Sequence, residues 1–282
     1  MKTVGELLSL STAFLLEKGV SQPRRDVEEL LSRALRLQRL DLYLQFDRPV
    51  EEKELTLFRE WIKRKARLEP VEYIVGQTDF YHCTIRVNQA TLIPRPETEI
   101  LVDLISKKLQ NGGLQGKVLW DLCCGSGCIG IALKKALPKL RVILSDLSPD
   151  ALAIAAENAR LNGVEVEFRQ GDLLTPFAGE KADYITCNPP YISEKEYRAL
   201  DLSVAAYEPK TALVGGETGR EFYERLSSEL FPHLQDGAQV FFEIGSTQGG
   251  ELKKIFSMHS WARFTINQDW SGLDRFFFLE KQ

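Results

Sequence analysis

Beyond Lys117 the sequence alternates between short β-prone runs and helical stretches, and few architectures accept that order. Residues 118–122 read as a strand, 126–136 as a helix and 141–145 as the next strand. Ser148 is placed as an N-cap with Pro149 at the first helical position. The helix then runs to Asn162, and Gly163 suits the left-handed position after its end. Further strands are expected at 164–169, 184–187 and 238–244. Strands interleaved with helices pair in parallel through right-handed crossovers, because a parallel neighbour needs a long return path. The last two runs, 262–267 and 275–279, are joined too closely for such a crossover and must form an antiparallel edge hairpin. The expected fold class is therefore α/β, with a seven-stranded, mostly parallel sheet.

The first seventy residues follow a different period. Val4, Leu7, Leu8, Phe14 and Leu15 form one helical stripe, broken at Ser11. Val27, Leu30, Leu31, Ala34 and Leu35 form a second, punctuated at its start by Ser21 and Pro23, and Leu55, Phe58, Ile62 and Ala66 a third. A small all-α bundle is expected over 1–70. Arg59, Lys63, Arg64, Lys65 and Arg67 crowd its last helix, as a solvated face or a docking face. In the stretch 71–93, β-prone residues 73–75 and 84–87 flank Gly76-Gln77-Thr78-Asp79. This reads as a β-hairpin linker, leaving 94–282 for the α/β domain.

The net charge is −4, which provides no overall basic footprint for nucleic acid. Residues 1–70 carry 14 basic and 12 acidic side chains, a slight excess that favours this part for an acidic partner. Five cysteines, three of them within 123–128, do not read as a disulfide framework and suit a reducing cytoplasm. Their spacing is not that of a zinc site, so no metal is expected. No apolar run approaches the ~20 residues of a membrane span. Residues 7–16 are broken by Ser9, Ser11 and Thr12 and read as an amphipathic helix rather than a signal segment.

Two loops carry the chemistry. The first strand ends in Asp121-Leu122-Cys123-Cys124-Gly125-Ser126-Gly127, and Gly125, Gly127 and Gly130 match GxGxxG. Such glycines let backbone approach a ligand ahead of a helix N-terminus, for a nicotinamide cofactor and S-adenosylmethionine alike. Asp146 closes the second strand, where a carboxylate accepts hydrogen bonds from ribose hydroxyls. The second loop is Asn188-Pro189-Pro190-Tyr191, after a strand at the same sheet edge. Prolines lack an N–H and have a fixed φ, and the residue before a proline is pushed to an extended conformation. The loop thus presents acceptors without competing backbone donors. The Asn188 side-chain oxygen and the Pro189 carbonyl are placed to hold both hydrogens of an –NH2 group, with the Tyr191 ring over that planar group.

Together these residues resemble class I S-adenosylmethionine-dependent methyltransferases, and Asn188-Pro189-Pro190-Tyr191 resembles their amino-methylating branch. Four further stretches narrow the resemblance: Ile93-Pro94-Arg95-Pro96-Glu97-Thr98-Glu99; Glu208-Pro209 with Ala212-Leu213 and Gly215-Gly216; Glu243-Ile244-Gly245 with Gln248; and Asp269, Gly272 and Arg275. The series is similar to the HemK family, the peptide chain release factor glutamine N5-methyltransferases, over nearly the whole chain. The resemblance implies a Rossmann-like class I methyltransferase fold. It implies methyl transfer from S-adenosylmethionine to the glutamine of the Gly-Gly-Gln motif in bacterial class 1 release factors, with the helical domain helping to grip that protein. Carried over by motif, Cys123, Cys124, Gly125, Ser126, Gly127 and Asp146 bind the cofactor, and Asp172 and Leu173 flank its adenine end. Asn188, Pro189, Pro190 and Tyr191 are the catalytic loop, with Asn188 also beside the cofactor. Arg95 and Glu97 either order the rim of the site or form a structural salt-bridge loop. The chain departs from the family at Cys123, where glycine is usual, at Cys124, where threonine is, and at Leu173, where an aromatic is common. Cofactor binding is expected to survive the Cβ at 123. The alternative activity is amino-methylation of a nucleic-acid base, against which the acidic balance counts.

Overall fold

The structure is a computed structural model and describes residues 2–110 and 112–282. It divides into two compact units, Met1–Gly76 with Asp201–Tyr207 and Gln77–Leu200 with Glu208–Gln282.

The smaller unit contains α1 (Val4–Glu17), α2 (Pro23–Leu35), α3 (Asp41–Leu44), α4 (Glu52–Lys65) and α5 (Val71–Val75). A capping box opens α1: the Thr3 hydroxyl accepts from the Glu6 amide, and the Glu6 carboxylate accepts from the Thr3 amide. Val27, Leu30, Leu31, Ala34 and Leu35 of α2 are all buried, as their spacing requires. Phe14 departs from the expected stripe of α1 and is 38% exposed. It lies about 80° around the helix from Val4, whereas Leu15 lies within about 20° and fills the core position. The basic run of α4 is largely consumed within the unit. Lys65 is buried against Asp26 at 3.1 Å, Arg59 pairs with Glu52 at 2.7 Å, and Arg64 binds Glu69 and the carbonyls of Tyr73 and Ile74.

The expected hairpin linker needs correction. Residues 73–75 belong to α5, which Gly76 ends at φ +83°. Val71 and Ile74 are buried in the helical core, and that burial overrides the local β preference. The hairpin is instead β1 (Gln77–Phe80) and β2 (Cys83–Arg86), turning at Tyr81 and His82 with φ +40° and +61°. Two successive left-handed residues make the turn whose twist suits a tight hairpin. Stretch 71–93 is thus split between the units. Residues 201–207 also cross over: α10 (Leu202–Ala205) sits in the helical unit, where the Tyr207 hydroxyl donates to the Arg67 carbonyl at 2.7 Å.

Glu28 organises one face of the helical unit. Burial opposes its charge, but hydrogen bonds from Tyr43, Arg39 and Arg24 outweigh this and lower it from 4.5 to about 2. A carboxyl lowered this way stabilises the fold above its unfolded pKa, and the contribution is lost as pH falls through about 4 towards 2. Glu28→Gln is expected to cost about 1–2 kcal/mol in denaturant unfolding at pH 7, after discounting for its half-exposed arginine partners. The gap from the parent should narrow below about pH 4 and close near pH 2; equal stability at pH 7 would show the network contributes nothing.

The larger unit contains the sheet. After α6 (Pro96–Leu109) come β3 (Val118–Leu122), α7 (Cys128–Ala136), β4 (Arg141–Asp146), α8 (Pro149–Leu161), β5 (Glu167–Gln170) and β6 (Ala182–Cys187). Then follow α9 (Glu194–Tyr197), α11 (Glu221–Glu229), β7 (Leu234–Glu243), α12 (Gly249–Phe256), β8 (Trp261–Gln268) and β9 (Asp274–Lys281). The order is β5-β4-β3-β6-β7-β9-β8; β9 alone runs antiparallel to both neighbours. This is the seven-stranded, mostly parallel sheet with an antiparallel C-terminal hairpin read from the sequence. Ser148 caps α8 by accepting from the Ala151 amide, and Pro149 follows it. β5 begins at Glu167 rather than 164, because the Val164 amide still bonds the Ala159 carbonyl at the end of α8. β3 and β6 are parallel neighbours, and from β3 the successive strands are added first to one side (β4, β5) and then to the other (β6, β7), so the carboxyl ends of β3 and β6 flank the crevice where open α/β sheets bind ligands. No described helix is long and apolar enough to cross a membrane.

Candidate active site

The chain leaves β3 through Cys123, whose φ is +54°, followed by Gly125 at +52° and Gly127 at +77°. The turn is pinned from three sides. The Cys124 amide donates to the Ser145 carbonyl at 3.0 Å, the Gly125 amide to Asp146 Oδ2 at 2.8 Å, and the Gly127 amide to the Cys124 carbonyl at 2.8 Å. Asp146 Oδ1 also takes the Ser148 amide at 2.9 Å. Burial pushes Asp146 above its ordinary range, against the pull of these backbone amides. The glycines differ in what they serve. A Cβ on Gly130 would lie 2.3 Å from Leu144 Cδ2, and one on Gly127 about 3.0 Å from Ile131 and Leu144, so both are demanded by helix–sheet packing. A Cβ on Gly125 would meet nothing within 4 Å; that glycine faces open space.

Asp121 lies beneath the loop, fully buried, with Oδ2 accepting from the Gly130 amide at 2.9 Å and Oδ1 unpartnered. Burial lifts it to about 7. Cys124, Cys128 and Cys187 are buried free thiols raised by burial, which makes them packing groups rather than nucleophiles. Among the described residues no group of His, Cys, Asp and Glu is arranged to hold a metal.

β6 delivers the second loop. Cys187 pairs in register with Leu122, so Asn188 begins beside Cys123 at the same edge. Pro189 and Pro190 are buried, and Asn188 is half-buried. The Asn188 carboxamide has no hydrogen-bond partner among the described residues, and neither of its polar atoms is sealed from solvent. The loop behind it is tightly backed. A Cβ on Gly215 would lie 2.2 Å from the Pro190 carbonyl oxygen, and one on Gly219 2.4 Å from that of Tyr191. Ile192 bridges to Val214, with Ile192 N–H to Leu213 O at 3.0 Å and Gly215 N–H to Ile192 O at 2.9 Å.

Tyr191 is held at both ends. Its hydroxyl faces Glu243 Oε1 at 3.4 Å, and its carbonyl accepts from Gln248 Nε2 at 3.1 Å. Burial and the facing Glu243 raise the phenol. Burial also raises Glu243, whose other oxygen accepts from Thr98 Oγ1 at 2.7 Å while Arg275 opposes the shift.

The remaining expected residues are spread around this edge. Arg95 reaches buried Glu208 at 2.6 Å, and Glu208 also takes the Ile93 amide at 3.1 Å. Arg95 thus ties the chain before α6 to the loop at Glu208. Asp172 pairs with Arg225 at 2.8 Å, and Leu173, at φ +47°, has its side chain in the core. Asn158 escaped the sequence reading. It is fully buried and donates to the carbonyls of Ser126 (2.9 Å) and Arg86 (3.0 Å) while accepting from the Arg86 amide, so it ties the glycine loop to β2. A signal was present: Asn158 is the polar member of the apolar face Ala151, Ala155 and Ala159 of α8.

Residues 6–76 match the PrmC N-terminal domain and residues 96–206 the methyltransferase small domain. The release factor glutamine methyltransferase of Chlamydia trachomatis serovar D is 41% identical over 98% of this chain and 94% of its own length. That of Bacillus cereus is 36% identical over 99% of both chains. A methyltransferase structure from Pyrococcus furiosus superimposes with a TM-score of 0.52 at 17% identity, covering 71% of this chain and 89% of its own, and shares the fold.

Proposed function

Since the chain belongs to the release factor glutamine methyltransferase family, we propose that it methylates the side-chain amide nitrogen (N5) of the Gly-Gly-Gln glutamine in bacterial class 1 peptide chain release factors. The methyl donor in this reading is S-adenosyl-L-methionine. The observation that carries the reading is Asn188: an accessible carboxamide with no hydrogen-bond partner among the described residues, on a proline-stiffened loop beside the glycine turn.

The residues present fit the donor. Gly125 has open space where a side chain would stand, and each Asp146 oxygen takes one backbone amide, leaving acceptor capacity for ribose hydroxyls. In this reading Cys123, Cys124, Gly125, Ser126, Gly127 and Asp146 hold the donor, with Asp172 and the backbone at Leu173 towards its adenine end. When bound, S-adenosylmethionine supplies a methyl group on an electron-poor sulfonium. Asn188 Oδ1 and the Pro189 carbonyl hold the two hydrogens of the target amide, and the Tyr191 ring covers its plane. An amide nitrogen is a weak nucleophile because its lone pair is delocalised. Two hydrogen bonds worth ~1 kcal/mol each cannot overcome that by strength. Fixing the nitrogen in line with the methyl is worth up to ~7–11 kcal/mol, so the loop works by orientation. We assign the helical unit to gripping the release factor, and the protein to the cytoplasm, in keeping with its free cysteines.

The test is mass spectrometry of a purified release factor incubated with the protein and S-adenosylmethionine. One added methyl on the Gly-Gly-Gln glutamine is the expected result. No methyl on the release factor, with one on an oligonucleotide, would transfer the reading to nucleic-acid bases. Calorimetry should show donor binding by the parent despite Cys123, and a loss of about 10–100-fold in Asp146→Ala, which removes the ribose acceptor and unpairs two loop amides. Unchanged affinity in Asp146→Ala would remove that residue from the donor site.

A further inference from the structure

The rigidity of the Asn188–Tyr191 loop has a visible source outside the loop. Gln248 precedes α12, is 8% exposed, and uses every polar atom of its side chain. Its Oε1 accepts from the Gly245 amide at 2.9 Å. Its Nε2 donates to the Tyr191 carbonyl at 3.1 Å and to the Gly219 carbonyl at 3.1 Å. One carboxamide therefore joins the end of β7, the substrate-facing loop and the loop before α11. The two acceptors are carbonyl oxygens, so the site asks for two N–H donors on one atom and an acceptor on the other. Among side chains of this length only a glutamine amide supplies that set. The glycine at 219 lets the Tyr191 carbonyl come this close.

We infer that Gln248 is a positioning residue for methyl transfer, holding the Tyr191 backbone, and through it Asn188, in the orientation that aligns the target amide. The inference rests on the assignment of Asn188–Tyr191 as the loop that presents that amide. Gln248 touches neither substrate nor donor in this account; it acts through the Tyr191 carbonyl.

Gln248→Glu tests it. The variant keeps the shape and the acceptor for Gly245, but sets an oxygen against two carbonyl oxygens. At pH 8 kcat for the release factor should fall about 30-fold while KM for S-adenosylmethionine stays within about threefold. A carboxyl facing two carbonyls is held above the usual ~4.3, because the neutral form alone donates a hydrogen bond. Lowering the pH to about 6 should therefore recover several-fold of the loss relative to the parent at the same pH. Gln248→Met, similar in length but without a donor, should show the loss and no recovery. Amide exchange at Ile192 and Gly215 should quicken in both variants at pH 8, and this readout needs no substrate. Full kcat and unchanged exchange in both variants would overturn the inference. Equal losses in both, with no acid recovery in Gln248→Glu, would reduce Gln248 to a structural role. A parent protein that binds donor but leaves the release factor unmethylated would defeat the functional reading instead, and the exchange result would still decide Gln248.

Discussion

Asn188→Ala should lower turnover on the release factor by about 10³-fold while leaving S-adenosylmethionine affinity within about threefold. The size follows from what the side chain does. Its carboxamide forms no hydrogen bond among the described residues, so removing it breaks no internal polar contact there and should shift the unfolding midpoint by no more than a degree or two. Under the proposed function, what disappears is one of two acceptors that fix the target amide, and with it the angular restraint on the attacking nitrogen. A single retained acceptor at Pro189 lets the whole planar carboxamide swing about its Cγ–Cδ bond, so most bound encounters turn its nitrogen out of line with the methyl. The effect should fall on kcat rather than on KM for the donor. Single-turnover methylation with saturating donor reads it directly. A loss below about tenfold would mean the amide is oriented by other groups, and Asn188 would lose its assigned place.

Gly215→Ala is the second large effect, and it works by pressing on the back of the 188–191 loop rather than by removing a side chain from it. Its added Cβ would lie 2.2 Å from the Pro190 carbonyl oxygen and 2.9 Å from the carbonyl carbon. Neither is the end of a flexible side chain; both belong to a proline-locked backbone. Relief requires moving the 188–191 loop or breaking the pairing of Gly215 with Ile192 at 2.9 Å. Activity should fall by more than about 10²-fold and stability by about 2–3 kcal/mol. Wild-type turnover in Gly215→Ala would show that the loop has slack, and would weaken the orientation argument for the whole site.

The fold was legible where local patterns and tertiary demands agree. The strand at 118–122, the Ser148 cap, the Gly163 stop and the C-terminal hairpin all follow from propensity and loop length. They failed where burial overrode propensity. Residues 73–75 are β-prone, yet they turn as helix because Val71 and Ile74 complete a helical core. Phe14 shows the opposite error: an apolar side chain near a stripe is not on it unless the angle around the helix agrees.

The candidate site divides along the same line. Gly125, Asp146 and Asn188 could be read in order because their chemistry comes from short segments at strand ends, where the turn, the carboxylate and the proline-stiffened backbone are encoded within a few residues. The supports of those segments lie far away in the chain: Asn158 under Ser126, Gln248 and Gly219 on Tyr191, Gly215 against Pro190, Thr98 and Tyr191 on Glu243. Composition and spacing thus specified the order of elements and the groups proposed to face the ligand. Which distant residues hold them still was settled by packing, because a hydrogen bond or a steric limit between residues dozens of positions apart exists only once the sheet order brings them together.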